Sequence, residues 1–139
     1  LTNIKIQPSR SQGYYDLAEY YYEIGRLDKA AENIEKATLC AKSDRDKQLA
    51  LELKGFILIL KQDYATSEGI FNELRQKYGI DTLTLAGLGH ISNARKDYPR
   101  ARSYFEQAIK TKEAGWDMAM LGLGWVNANE NMHMKAIDC

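Results

Sequence analysis

The side chains of this 139-residue chain best equipped for chemistry are two histidines, His90 and His133, and two cysteines, Cys40 and Cys139. The cysteines stand mid-chain and at the last residue, in no CxxC or Cys/His spacing that a zinc site requires, and read as the reduced thiols of a cytoplasmic protein. His90 has no cysteine, serine or carboxylate at a spacing that would make it a general base, so it reads as a solvated or groove-lining histidine. His133 reads as a packing residue. Glu19, Glu23 and Glu52 recur on helical stretches, where a solvated face is the expected place for a carboxylate. Gly87-Leu88-Gly89 and Gly122-Leu123-Gly124 spell GxG, but within helical patterns rather than after strands, so they are not dinucleotide loops. There is no GxxxxGK, HExxH or GxSxG. The expectation is a chain that is not an enzyme and binds no metal or cofactor.

With no catalytic constellation to position, attention passes to the elements and the surfaces they make. Lys+Arg 19 balance Asp+Glu 19, so no global basic field argues for nucleic acid or an anionic membrane. Hydrophobic residues make up 45% of the chain, enough to bury a core. The longest apolar run, Gly55 to Leu60 with Leu53 just upstream, is far short of the roughly 20 residues that a membrane span needs. The only prolines are Pro8 and Pro99, and large apolar residues recur at three- and four-residue steps, which predicts an all-α chain.

Sliding the sequence along itself exposes a repeat. "YYDLAEYYYEIGRLDKAAENIEKA" (14–37) matches "TLAGLGHISNARKDYPRARSYFEQA" (84–108) at Leu17-Ala18 with Leu88-Gly89, Leu27 with Tyr98, Ala30 with Ala101, Ile34 with Phe105 and Ala37 with Ala108. Between them Gly55, Tyr64, Ser67, Phe71 and Leu74 follow the same order, and "MLGLGWVNANENMHMKAI" begins a fourth copy. The equivalent small residues Ala30, Ser67, Ala101 and Ala136 are 37, 34 and 35 positions apart. Small and large residues alternate because stacked helices meet at the small ones while the large ones fill the grooves; Gly55, Gly89 and Gly124 are expected where backbones press together. Asp28, Asp63 and Asp97 offer helix caps, and Pro99 fits a first helical turn. Helices are predicted over about 12–24, 28–41, 46–61, 64–77, 81–95, 98–112 and 115–129, with an eighth starting near His133.

A period of about 34 residues built from helix pairs resembles the tetratricopeptide repeat (TPR) family. The likeness covers residues 12–139, as units 12–45, 46–79, 81–114 and a truncated 115–139, after a lead-in at 1–11. It implies a right-handed α-solenoid of antiparallel helix pairs. Lys54, Ser67 and His133 depart from the pattern. The resemblance further implies a concave face lined by the first helix of each unit, carrying Tyr15, Glu19, Tyr22 and Glu23; Glu52, Phe56, Ile59 and Leu60; Ala86, His90, Asn93 and Ala94; and Leu121, Trp125, Ala128 and Asn129. Family members that hold acidic chaperone tails use a clamp of lysines, asparagines and an arginine. Tyr15, Glu19, Leu53, Leu83 and Gly87 stand there instead, so the clamp is absent and an amphipathic helix or extended apolar peptide is the expected ligand.

The implied function is that of a protein-protein interaction module, an adaptor or scaffold. The alternative is a structural or self-associating region of a larger protein, since bacterial members of the family accompany receiver, secretion or pilus-assembly components. Met118, Met120, Leu121, Leu123, Trp125, Val126, Met132 and Met134 load the C-terminal end with apolar surface. Part of that surface should lack a partner within the chain, which suggests a fragment of a longer protein or contact with a second copy.

Overall fold

Seven α-helices follow one another through the described part of the computed structural model, residues 10–111 and 116–138: α1 (Arg10–Glu23), α2 (Leu27–Cys40), α3 (Asp44–Leu60), α4 (Tyr64–Tyr78), α5 (Thr82–Ala94), α6 (Tyr98–Thr111) and α7 (Trp116–Asp138). Of the expected lead-in at 1–11, residues 1–9 lie outside the described residues, and residues 10 and 11 already belong to the first helix, which begins at Arg10. Tight turns fold α1 on α2, α3 on α4 and α5 on α6 as antiparallel pairs. Their left-handed residues fall at matching positions: Gly25 (φ 80°), Gln62 (φ 65°) and Lys96 (φ 63°). One residue later, an amide reaches back across the turn, as Arg26 N–H to Tyr21, Asp63 N–H to Leu58 and Asp97 N–H to Ser92, at 2.8–2.9 Å.

Helix starts follow the side chains that can accept an amide proton. Asp63 takes the N–H of Thr66, Asp97 that of Arg100, Ser43 that of Asp46 and Asp81 that of Thr84. The expected cap at Asp28 is not one: it sits inside the first turn of α2, whose capping position is Arg26 without a side-chain hydrogen bond. A second correction concerns the C-terminal end, where the expected break between 129 and 133 is absent and α7 runs unbroken from Trp116 to Asp138. The position equivalent to Asp63 and Asp97 is there Met132, which has no oxygen to offer an emerging helix start, so the helix simply continues. The proposed packing role of the His133 side chain lies outside the described residues.

The odd-numbered helices touch in succession, α1 to α3, α3 to α5 and α5 to α7, whereas among the described residues α2, α4 and α6 do not touch one another. A layer whose members are in contact must form the inside of the bend, so the odd helices line the concave face. Each core cluster is one even helix wedged between two odd ones: Ile34 with Ala18 and Ala50, then Phe71 between α3 and α5, then Phe105 between α5 and α7. A Cβ built on Gly55 or Gly87 would lie 2.6 or 2.4 Å from the Phe71 ring, and one on Gly89 or Gly122 would lie 2.8 or 2.4 Å from the Phe105 ring. The close approach is thus glycine to phenyl ring, not backbone to backbone. In the first unit Ile34 replaces the phenyl ring and alanines replace both glycines, so the size sum is kept. Gly124 departs from the expectation: nothing lies within 4 Å of its added Cβ. Ser67, in an alanine position and fully buried, is satisfied by donating to the carbonyl of Gly55 at 2.7 Å. Lys54 points outward to an ion pair with Glu35 at 2.6 Å.

Candidate functional site

Two adjoining cavities occupy the concave face. The first, about 250 Å³, is walled by Tyr22 of α1, Phe56, Ile59 and Leu60 of α3, His90 of α5, and Leu121 and Trp125 of α7. The second, about 230 Å³, shares Tyr22 and Phe56 and continues toward the N-terminal halves of α1, α3 and α5, with Tyr15, Glu19 and Glu23, Leu49, Glu52 and Leu53, and Leu83. The two form one trough that crosses the repeat stack from α1 to α7. Its positions follow from helical spacing: Glu52, Phe56 and Ile59 are one turn apart on α3, as are Tyr15, Glu19 and Tyr22 on α1.

The apolar end is firm underneath and open above. Phe56 stands edge-on to Phe71 at 5.2 Å between centroids, and His90 is edge-on to both Phe105 at 5.0 Å and Trp125 at 5.9 Å. Phe71 and Phe105 are the two glycine-clamped rings, so the core locks the floor of the trough. Leu60, Leu121 and Trp125 remain about half exposed on its rim. Burial lowers the pKa of His90, keeping the imidazole neutral at physiological pH. Such a histidine serves as an apolar wall with one polar edge, and no carboxylate or thiol lines its cavity.

The other end is acidic. Glu19 and Glu23 are exposed there, and no lysine or arginine lines either cavity. Glu52 corrects the expectation of a solvated carboxylate: it is 5% exposed, and burial, reinforced by its hydrogen bond to Asp81 and that neighbour's charge, pushes its pKa up to about 8. Gln48 bridges the two acids, its amide donating to Glu52 Oε1 and Asp81 Oδ2, each at 3.4 Å. The pKa of Asp81 goes down despite its burial, because Glu52, Gln48 and Thr84 all donate to it. One proton therefore sits on Glu52 and points at an ionised Asp81. Burial, followed by Glu19 and Glu52, lifts the Tyr15 phenol to about 12, and burial raises that of Tyr22.

Eleven of the sixteen residues named for this face are thus brought together: Tyr15, Glu19, Tyr22, Glu23, Glu52, Phe56, Ile59, Leu60, His90, Leu121 and Trp125. Ala86, Ala94 and Ala128 line neither cavity, and nor do Asn93 and Asn129. The two asparagines hydrogen-bond to each other at 3.2 Å, tying α5 to α7. Leu49 is a lining residue the sequence reading missed, though it lies one turn before Glu52 on the same helical face. Among the described residues no group of His, Cys, Asp and Glu could hold a metal, and no helix is long and apolar enough to cross a membrane.

No family model matches the chain, and no curated protein matches it in sequence. Among solved structures, the apo form of RapI superposes with a TM-score of 0.70 at 14% sequence identity, over 97% of this chain and 54% of that one. The chain thus spans about half the length of that relative. Together with seven helices and no strand among the described residues, the likeness shows the fold: an α-solenoid of antiparallel helix pairs of the TPR-like kind.

Proposed function

We propose that this chain is a protein-interaction module, an adaptor or scaffold rather than an enzyme, which takes a peptide or partner helix into the trough on its concave face. The observation that carries the reading is the apolar cavity built by four successive odd helices, where Trp125, Leu60 and Leu121 offer half-exposed apolar surface above a rigid aromatic floor. Rigid aromatic anchors in a preformed pocket are what binding hot spots are made of. An amphipathic helical peptide with leucine and phenylalanine anchors, titrated calorimetrically, tests it. Trp125→Ala should weaken binding about tenfold or more without changing helicity, because Trp125 sits on the rim and outside the core. Unchanged affinity in that variant would reject the trough as the binding surface.

A second reading, self-association, has its own observation. Met120, Met132 and Met134 on α7 are 45–70% exposed, and Leu17 and Tyr20 on α1, with Ile24 just after it, are about half exposed at the other end of the stack. Copies stacking end to end would cover both stripes. Under this reading the mass by light scattering rises with concentration, and Met132→Lys returns it to that of a monomer. A constant monomer mass rejects it.

A further inference from the structure

The partner's polarity can be read from the trough, granted that the trough is a binding surface as proposed above. We infer that it takes an amphipathic segment of one orientation, whose apolar anchors enter the cavity between Tyr22 and Trp125 while a lysine or arginine at one end lies against Glu19, Glu23 and Glu52. The two cavities are continuous through Tyr22 and Phe56, yet their chemistry differs: the one toward α7 carries no carboxylate, and the one toward α1 carries three. Neither contains a lysine or arginine, and among the described residues neither Glu19 nor Glu23 is in a salt bridge. An incoming cation meets unneutralised acid there, whereas an incoming carboxylate meets like charge; such complementarity sets register and orientation more than raw affinity.

Glu52 adds a proton linkage to the same end. The groups facing it are Tyr15 of α1, Gln48 and Arg45 of its own helix, and Asp81 at the start of α5. Of these only Arg45 is a cation, and it does not line the cavity. At neutral pH Glu52 holds its proton, since its pKa stands near 8. A partner's ammonium or guanidinium group beside it favours the carboxylate, so docking of the basic end releases a proton to solvent.

Three synthetic peptides with the same leucine and phenylalanine anchors, ending in lysines, glutamines or glutamates, test the inference on the full chain by calorimetry in buffers of different ionisation enthalpy. The lysine peptide should bind about tenfold more tightly than the glutamine peptide, and the glutamate peptide more weakly than either. The lysine preference should shrink with added salt and vanish in Glu19→Gln/Glu23→Gln, whose sites are exposed and whose helicity by circular dichroism should be unchanged. Proton release should accompany the lysine peptide alone and disappear in Glu52→Gln. Equal binding of the lysine and glutamine peptides, or a preference that survives the double substitution, overturns the inference while leaving the trough a binding surface. Failure of all three peptides to bind, or binding indifferent to Trp125→Ala, overturns the trough itself and the inference with it.

Discussion

Gly87→Ala should lower the stability of this chain by about 2 kcal/mol, and Gly124→Ala should raise it by about 1 kcal/mol, although both replace a helical glycine in the same kind of helix. The intrinsic part is the same at the two sites: alanine in a helix interior is favoured over glycine by about 1 kcal/mol. What differs is the neighbour. The Cβ added at Gly87 lies 2.4–2.7 Å from three carbons of the Phe71 ring, which is fully buried and also held by Gly55 of α3, where an added Cβ would lie 2.6 Å away. The ring cannot retreat from one methyl group without meeting the opposite helix. Overpacking of about 3 kcal/mol, the upper part of the usual range, therefore exceeds the propensity gain. Gly124 faces open space, so only the gain remains. Urea and thermal denaturation measure both, with a fall of roughly 5–10 °C expected for Gly87→Ala. Phe71→Leu on its own leaves a cavity and destabilises, but combined with Gly87→Ala it should recover at least about 1 kcal/mol, a coupling that a double-mutant cycle isolates. Additive losses would show that the glycine is not there for the ring.

The same clamps explain what could be read from the sequence and what could not. Each even helix supplies one large residue that must fit two small ones on the flanking odd helices, and this forces Phe71 and Phe105, Gly55 and Gly89, and Gly87 and Gly122 into register at nearly constant spacing. The period, the helix pairs and most of the residues that line the two cavities were legible for that reason. Gly124 was misread because register alone says where a glycine stands, not whether a ring stands opposite it. Its counterparts Gly55 and Gly89 meet phenyl rings 16 residues later, Phe71 and Phe105, on helices that turn back; α7 does not turn back. The missing turn had a local sign in Met132, which occupies the position of two capping aspartates, but the step of 35 from Ala101 to Ala136 predicts a new helix near His133. Asn93 and Asn129 lie one turn beyond the trough, where they hydrogen-bond to each other, a pairing across 36 residues that the sequence gives no sign of. The acid pair was invisible for another reason: Glu52 and Asp81 are 29 residues apart, and a carboxylate on a helix gives no local sign that it will be buried against the cap of a different one.

That acid pair sets the sign of the pH response. A carboxyl whose folded pKa stands above its unfolded value binds more protons in the folded state, so stability falls as pH rises between the two values. For Glu52 the window runs from its ordinary 4.5 to about 8: below it the group is protonated in both states, and above it the full penalty of an ionised, buried carboxylate is present. Asp81 acts outside that window, because its depressed pKa adds stability that is lost only as pH falls below the ordinary 3.8. The isosteric change Glu52→Gln keeps an oxygen for Gln48 and an N–H for Asp81 and removes the group that must ionise. It should leave stability near pH 4.5 almost unchanged and raise it at pH 8 by on the order of 2 kcal/mol, flattening the decline seen in the wild-type chain. Urea denaturation across this window measures the difference directly. Parallel curves for wild type and variant would mean that Glu52 titrates as an ordinary surface acid, and the proton placed between α3 and the start of α5 would have to be withdrawn.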